Sequence, residues 1–84
     1  MGIQHHYLKI KPKYFDDVLE GIKTFEIRFN DRGFKVGDIL HLQEYHKGEF
    51  TRREITREIC YMIDDSEYCK PGYVVIGLRP MRSN

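Results

Sequence analysis

At 84 residues the chain lies near the lower limit for independent folding, so residues 1–84 are expected to form one domain with a core of modest size. Fourteen Lys and Arg against thirteen Asp and Glu give a net charge of +1, which argues against a binder relying on bulk attraction to nucleic acid but allows a local basic patch. No uncharged stretch is long enough to span a bilayer and the first seven residues hold no apolar run, so a cytoplasmic protein with no membrane partner is expected.

His6 to Lys11 alternates, with Leu8 and Ile10 on one side and Tyr7, Lys9 and Lys11 on the other, which predicts a first strand. Pro12 suits the first turn of a helix. Its apolar stripe is Tyr14, Phe15, Val18 and Leu19, with Asp16, Asp17 and Glu20 facing water and Gly21 closing it in the left-handed conformation. From Lys23 the period returns to two: Phe25, Ile27 and Phe29 form the face predicted to be buried, and Thr24, Glu26 and Arg28 the face left to line a cleft.

Turn signals in Asn30-Asp31-Arg32-Gly33 and Lys35-Val36-Gly37-Asp38 lead into a third strand over Ile39 to Tyr45. After a hairpin turn at His46 to Glu49, Thr51 to Asp64 reads as a long, bent fourth strand in which Ile55, Ile59 and Ile63 share one parity. A loop containing Lys70-Pro71-Gly72 precedes Tyr73 to Leu78, which is apolar on both faces and so predicted to be central; the last four residues are expected to fray. The fold class is therefore α+β, mainly β: a small barrel or strongly curled sheet of about five strands, plugged by one short helix after the first strand.

Cys60 and Cys69 are expected to be reduced thiols, and His5, His6, His41 and His46 lack the paired spacings of tetrahedral zinc sites, so neither a metal site nor a cofactor is expected. Residues two apart on a strand project to one side about 7 Å apart, which makes Thr24, Glu26 and Arg28 a row of hydroxyl, carboxylate and guanidinium. Lys23 has the opposite parity, but its long stem at the strand's start can swing the ammonium toward that row. An exposed strand pair without function is an equally good reading of Glu26 and Arg28 on these grounds alone.

The spacing Gly-x-Lys-x-x-Glu-x-Arg, filled by Gly21, Lys23, Glu26 and Arg28, resembles the signature of the ASCH domains of the PUA-like superfamily. Phe34-x-Val36-Gly37-Asp38, Arg53-x-Ile55-Thr56-Arg57 and Gly72-Tyr73-Val74-Val75-Ile76-Gly77 extend the resemblance over nearly the whole chain, toward a compact bacterial and phage branch of unknown function. It implies a pseudo-barrel with the helix over one opening and a cleft beside the signature strand that binds RNA or a nucleotide. Lys23 and Arg28 would then hold phosphate, Glu26 would order Arg28 or accept from a base or ribose, and Thr24 would add a hydroxyl at the rim.

Some proteins resembling this fold are hydrolases of acylated cytidine, or ribonucleases, and a catalytic reading here would rest on Lys23 and Glu26. In the hydrolase branch, however, the nucleophilic Thr falls where this chain has Glu26, and Thr24 lies two residues early, which weakens acyl transfer. Arg53 and Arg57 share strand parity and would extend a phosphate groove, although Glu49, Glu54 and Glu58 interleave with them. Tyr45 on the third strand is a candidate for stacking on a base, and Asp31 and Arg32 in the loop after the signature strand for closing over a ligand. An RNA- or nucleotide-binding module is the leading expectation, with a hydrolase of modified nucleosides or RNA second and a phage or host interaction adaptor third.

Overall fold

The computed structural model describes residues 2–81. The predicted elements form in the expected order: β1 (His5–Ile10), α1 (Pro12–Leu19), β2 (Phe25–Phe29), β3 (Ile39–His46), β4 (Glu49–Ile63) and β5 (Tyr73–Pro80). They make one curled five-stranded sheet, a half-barrel in the order β1-β3-β4-β5-β2, in which only β1 and β3 run parallel. Pro12 occupies the first turn of α1, and Gly21, at φ 78°, ends it as predicted. Of the expected fraying segment only Met81 falls within the described residues. No helix among them is long and apolar enough to cross a membrane.

The concave face holds the core. Phe15 and Val18 of α1 pack against Leu8 and Ile10 of β1, Leu40 and Leu42 of β3, Ile55 and Ile59 of β4, and Val74, Ile76 and Leu78 of β5. Tyr14 and Leu19, at the flanks of the predicted stripe, stay outside this cluster. β5 lies between β4 and β2 and buries Val74, Ile76 and Leu78, consistent with its apolar sequence.

Two bulges shape β4. Between Gln43/Tyr45 and Glu54/Phe50 the ladder slips, with Arg52 at φ 78°. Between Ile59 and Tyr61 the register shifts by one, so Cys60 is unpaired and parity flips. That flip corrects the expectation that Ile63 shares the face of Ile55 and Ile59: Met62 packs inward instead, and Ile63 is exposed.

β2 inverts the predicted parity outright. Phe25, Ile27 and Phe29 are 44%, 59% and 53% exposed, whereas Glu26 is only 5% exposed. Register with β5 enforces this, since Glu26 sits opposite Ile76 and Arg28 opposite Val74, both fully buried, and partners in a ladder share a face. The interior thus changes from apolar to polar within one strand spacing, at the edge of the sheet.

Candidate functional site

The site is built where the two sheet edges, β1 and β2, approach each other. α1 ends in a turn in which Ile22 and Lys23 both donate backbone N–H to the Asp17 carbonyl at 2.9 Å. This turn delivers Lys23 to the mouth of the half-barrel, where its Nζ donates to Glu26 Oε2 at 2.7 Å and to the Phe25 carbonyl at 2.6 Å. Arg28, two residues on, donates from Nε to Glu26 Oε1 at 3.3 Å. Glu26 therefore joins two cations whose side chains remain 15% and 25% exposed while its own is 7% exposed. The convergence of Lys23 with Glu26 and Arg28, which strand parity alone left open, is realised by the helix-ending turn.

Arg28 also reaches across the seam, Nη2 donating to the Lys9 carbonyl at 2.7 Å, and Arg32 does the same to the Tyr7 carbonyl at 2.8 Å. In a parallel ladder, successive residues alternate in the side to which their backbone groups point; Gln4 points toward β3, where its carbonyl accepts from Ile39 N. The carbonyls of Tyr7 and Lys9 lie on the other, unpaired edge. Two arginines thus stand in for the missing strand pairing between β1 and β2. Arg32 also lies 4.0 Å from Asp31, and both remain exposed.

Over Glu26 lie two adjoining concavities, of about 360 and 210 Å³, that share Tyr14, Glu26 and Ile27. The first adds Lys23 and Phe25; the second adds Arg28 together with Lys9 to Lys11. Tyr14, 39% exposed, has the Lys23 ammonium 5.4 Å and the Lys13 ammonium 4.9 Å from its ring centroid. The result is an aromatic rim above a floor made of one carboxylate between two cations.

The sequence-predicted residues divide between this cleft and other places. Lys23, Glu26 and Arg28 meet in it. Thr24 is exposed outside it, its carbonyl accepting from Leu78 N at 2.8 Å. Arg53 is placed by the first β4 bulge beside α1, pairing with Asp16 and with Glu44 while lying 4.2 Å from the Phe15 ring. Arg57 donates to the Val18 carbonyl near the end of α1 at 3.1 Å, so both arginines brace the helix. Tyr45 lies in a larger, neighbouring concavity beside Lys11 and Lys47.

Lys9, Lys11 and Tyr14 are the lining residues that strand-by-strand reading missed. Their signal is positional, because the end of the first strand and the first helical turn must both border the opening that the helix covers. The cysteines are unpaired thiols, with Cys69 Sγ 3.5 Å from the Ile63 carbonyl.

A second buried polar centre lies at the entrance to β3. Asp38 accepts from His6 Nε2 at 2.8 Å, from Gln4 N at 3.2 Å and from Lys35 N at 3.1 Å, with the His6 ring edge-on to Phe34. Burial works to raise the Asp38 carboxyl, but these donors outweigh it and hold it below its ordinary value. On the outer surface, Glu54 is lowered by bonds from Gln43 and then His41, and His41 continues to His5 at 2.8 Å.

A family model described as a domain of unknown function (DUF3850) matches residues 5–78. The chain is also similar to an uncharacterized 12.9 kDa protein in the GpA 3′ region of Escherichia phage P2, with 41% identity over 71 residues. That stretch covers 84% of this chain and 64% of the phage protein, so the chain spans a little under two thirds of its relative's length.

Proposed function

The chain belongs to this family, the domain of unknown function DUF3850, and within it we propose that the cleft over Glu26 binds RNA or a nucleotide through phosphate. The observation that carries the reading is the convergence of Lys23 and Arg28 on one buried carboxylate at the floor of an open cleft. The bonds named above use two of the three Lys23 ammonium hydrogens and leave the Arg28 Nη1 hydrogens over, so both cations keep donors for phosphate oxygens. Glu26 fixes where those cations sit, and the exposed Tyr14 ring beside them offers a face to a base. The resemblance of the Gly21 to Arg28 segment to ASCH domains supports the same reading. Binding is favoured over acyl transfer because Thr24, the hydroxyl nearest in sequence, lies outside the cleft.

The test is a salt-dependent titration with fluorescein-labelled rA6. Wild-type affinity should fall with ionic strength, and Lys23→Gln and Arg28→Gln should each weaken binding about tenfold and reduce the salt slope by roughly 0.7. Because both cations also compensate Glu26, the exposed Lys11→Ala variant provides a control free of that coupling and should weaken binding several-fold. Unchanged affinity and slope in all three folded variants would overturn the reading.

A further inference from the structure

Resting on the preceding reading of the Glu26 cleft, we infer that its ligand is a single strand of nucleic acid rather than a lone nucleotide, continuing from that cleft over Lys11 into a second subsite on the β3–β4 hairpin.

The second subsite is a concavity of about 510 Å³ lined by Lys11, Pro12, Lys13, Tyr45, His46 and Lys47, with Gly48 at the turn. Lys11 lines both this concavity and the cleft, so the two are contiguous around the C-terminal end of β1. Tyr45 packs edge-to-face on Phe50, ring centroids 4.9 Å apart, and the Lys9 ammonium lies 4.3 Å from the Tyr45 centroid. An aromatic pair beside several ammoniums is the combination by which strands are bound without sequence readout, bases on rings and phosphates on cations.

Charge is concentrated along this path. Lys9, Lys11, Lys13, Lys23 and Lys47, five of the seven lysines, line it together with Arg28, and Glu26 is the single carboxylate lining the three concavities. The remaining eight Lys and Arg stand against twelve Asp and Glu, so the near-neutral net charge conceals a basic track on an otherwise acidic molecule.

The hairpin turn supplies an independent observation. Lys47 and Gly48 have φ of 50° and 83°, the two left-handed positions of a type I′ turn, in which Asn-Gly is the favoured pair. A lysine there costs roughly 1 kcal/mol relative to a residue suited to that conformation, and local rules are broken in this way where a side chain serves a site. Lys47 lies at the far end of the track.

Lys47→Asn is therefore a clean probe, since it removes the charge while improving the turn. Affinities are measured for adenosine 5′-monophosphate, rA6 and dA6 with wild type, Lys47→Asn and Tyr45→Ala. At least one hexamer should bind wild type tenfold or more tighter than the mononucleotide, the better of the two identifying the sugar. Lys47→Asn should weaken that hexamer three- to tenfold and leave the mononucleotide unchanged, and Tyr45→Ala should act in the same direction. Equal affinity for mononucleotide and hexamers, or a hexamer advantage that survives in Lys47→Asn, would overturn the strand assignment and leave the cleft reading standing. Absence of binding by all three probes would overturn both.

Discussion

Glu26 and Asp38 are equally buried, at 5% exposure, yet they are held by different kinds of donor. Asp38 is fixed by two backbone N–H groups and His6, none of which moves without moving β1 or the loop before β3. Glu26 is fixed by the ends of two long, partly exposed side chains, which also bond the Phe25 and Lys9 carbonyls at the open edge. Similar burial therefore rests on different supports, Asp38 held mainly by backbone and Glu26 by two side-chain cations at an opening.

The largest effect that checks this contrast is the cost of deleting each carboxylate. Asp38→Ala leaves the buried His6 ring and two part-buried backbone N–H groups without their acceptor and should cost about 3 kcal/mol in urea unfolding, whereas Glu26→Ala, whose cations are partly exposed, should cost about 1–2 kcal/mol. A larger loss at Glu26 would break the distinction. Next is Arg28→Met, which unpairs the Lys9 carbonyl and one side of Glu26 and should cost about 2 kcal/mol, only partly recovered by Arg28→Lys because an ammonium lacks the guanidinium's fork.

A smaller effect appears on acidification. The folded Asp38 carboxyl lies below its ordinary value of 3.8, so its contribution is complete above that value and is lost as pH falls through the folded one. Stability curves from pH 6 to pH 2 should therefore show a decline below about pH 4 that is smaller in Asp38→Asn. The smallest effect is at Glu54, whose carboxylate is also lowered but is 40% exposed: Glu54→Gln should change stability by no more than about 0.5 kcal/mol.

Periodicity located every strand and the helix because each switch between periods two and 3.6 coincides with a Pro or Gly that enforces it, Pro12 and Gly21 most plainly. It misassigned β2 for an identifiable reason. Alternation reports that two faces differ, and burying the apolar one is the default. Here β2 is the last strand before an open seam, and its inner face must supply donors for the unpaired β1 carbonyls of Tyr7 and Lys9. Hydrophobicity carries no record of that demand. The same limit hid the Cys60 bulge, which moves Ile63 to the opposite face without any glycine to announce it. Lys23, Glu26 and Arg28 were legible as a polar group because their spacing is local, while Lys9, Lys11 and Tyr14 join them only through the curl of the sheet.

The inverted β2 also bears on how the molecule behaves in company. Phe25, Ile27 and Phe29 stand outward beside Tyr73 on a strand at the sheet's edge, an arrangement prone to recruit a strand from another copy. Lys23 on the Phe25 carbonyl, Asp31 N on the Phe29 carbonyl, and Arg28 and Arg32 across to β1 occupy much of the backbone that such recruitment needs. Lys23, Arg28 and Arg32 thereby block much of this edge, and replacing Arg28 and Arg32 together should appear in sedimentation as concentration-dependent self-association.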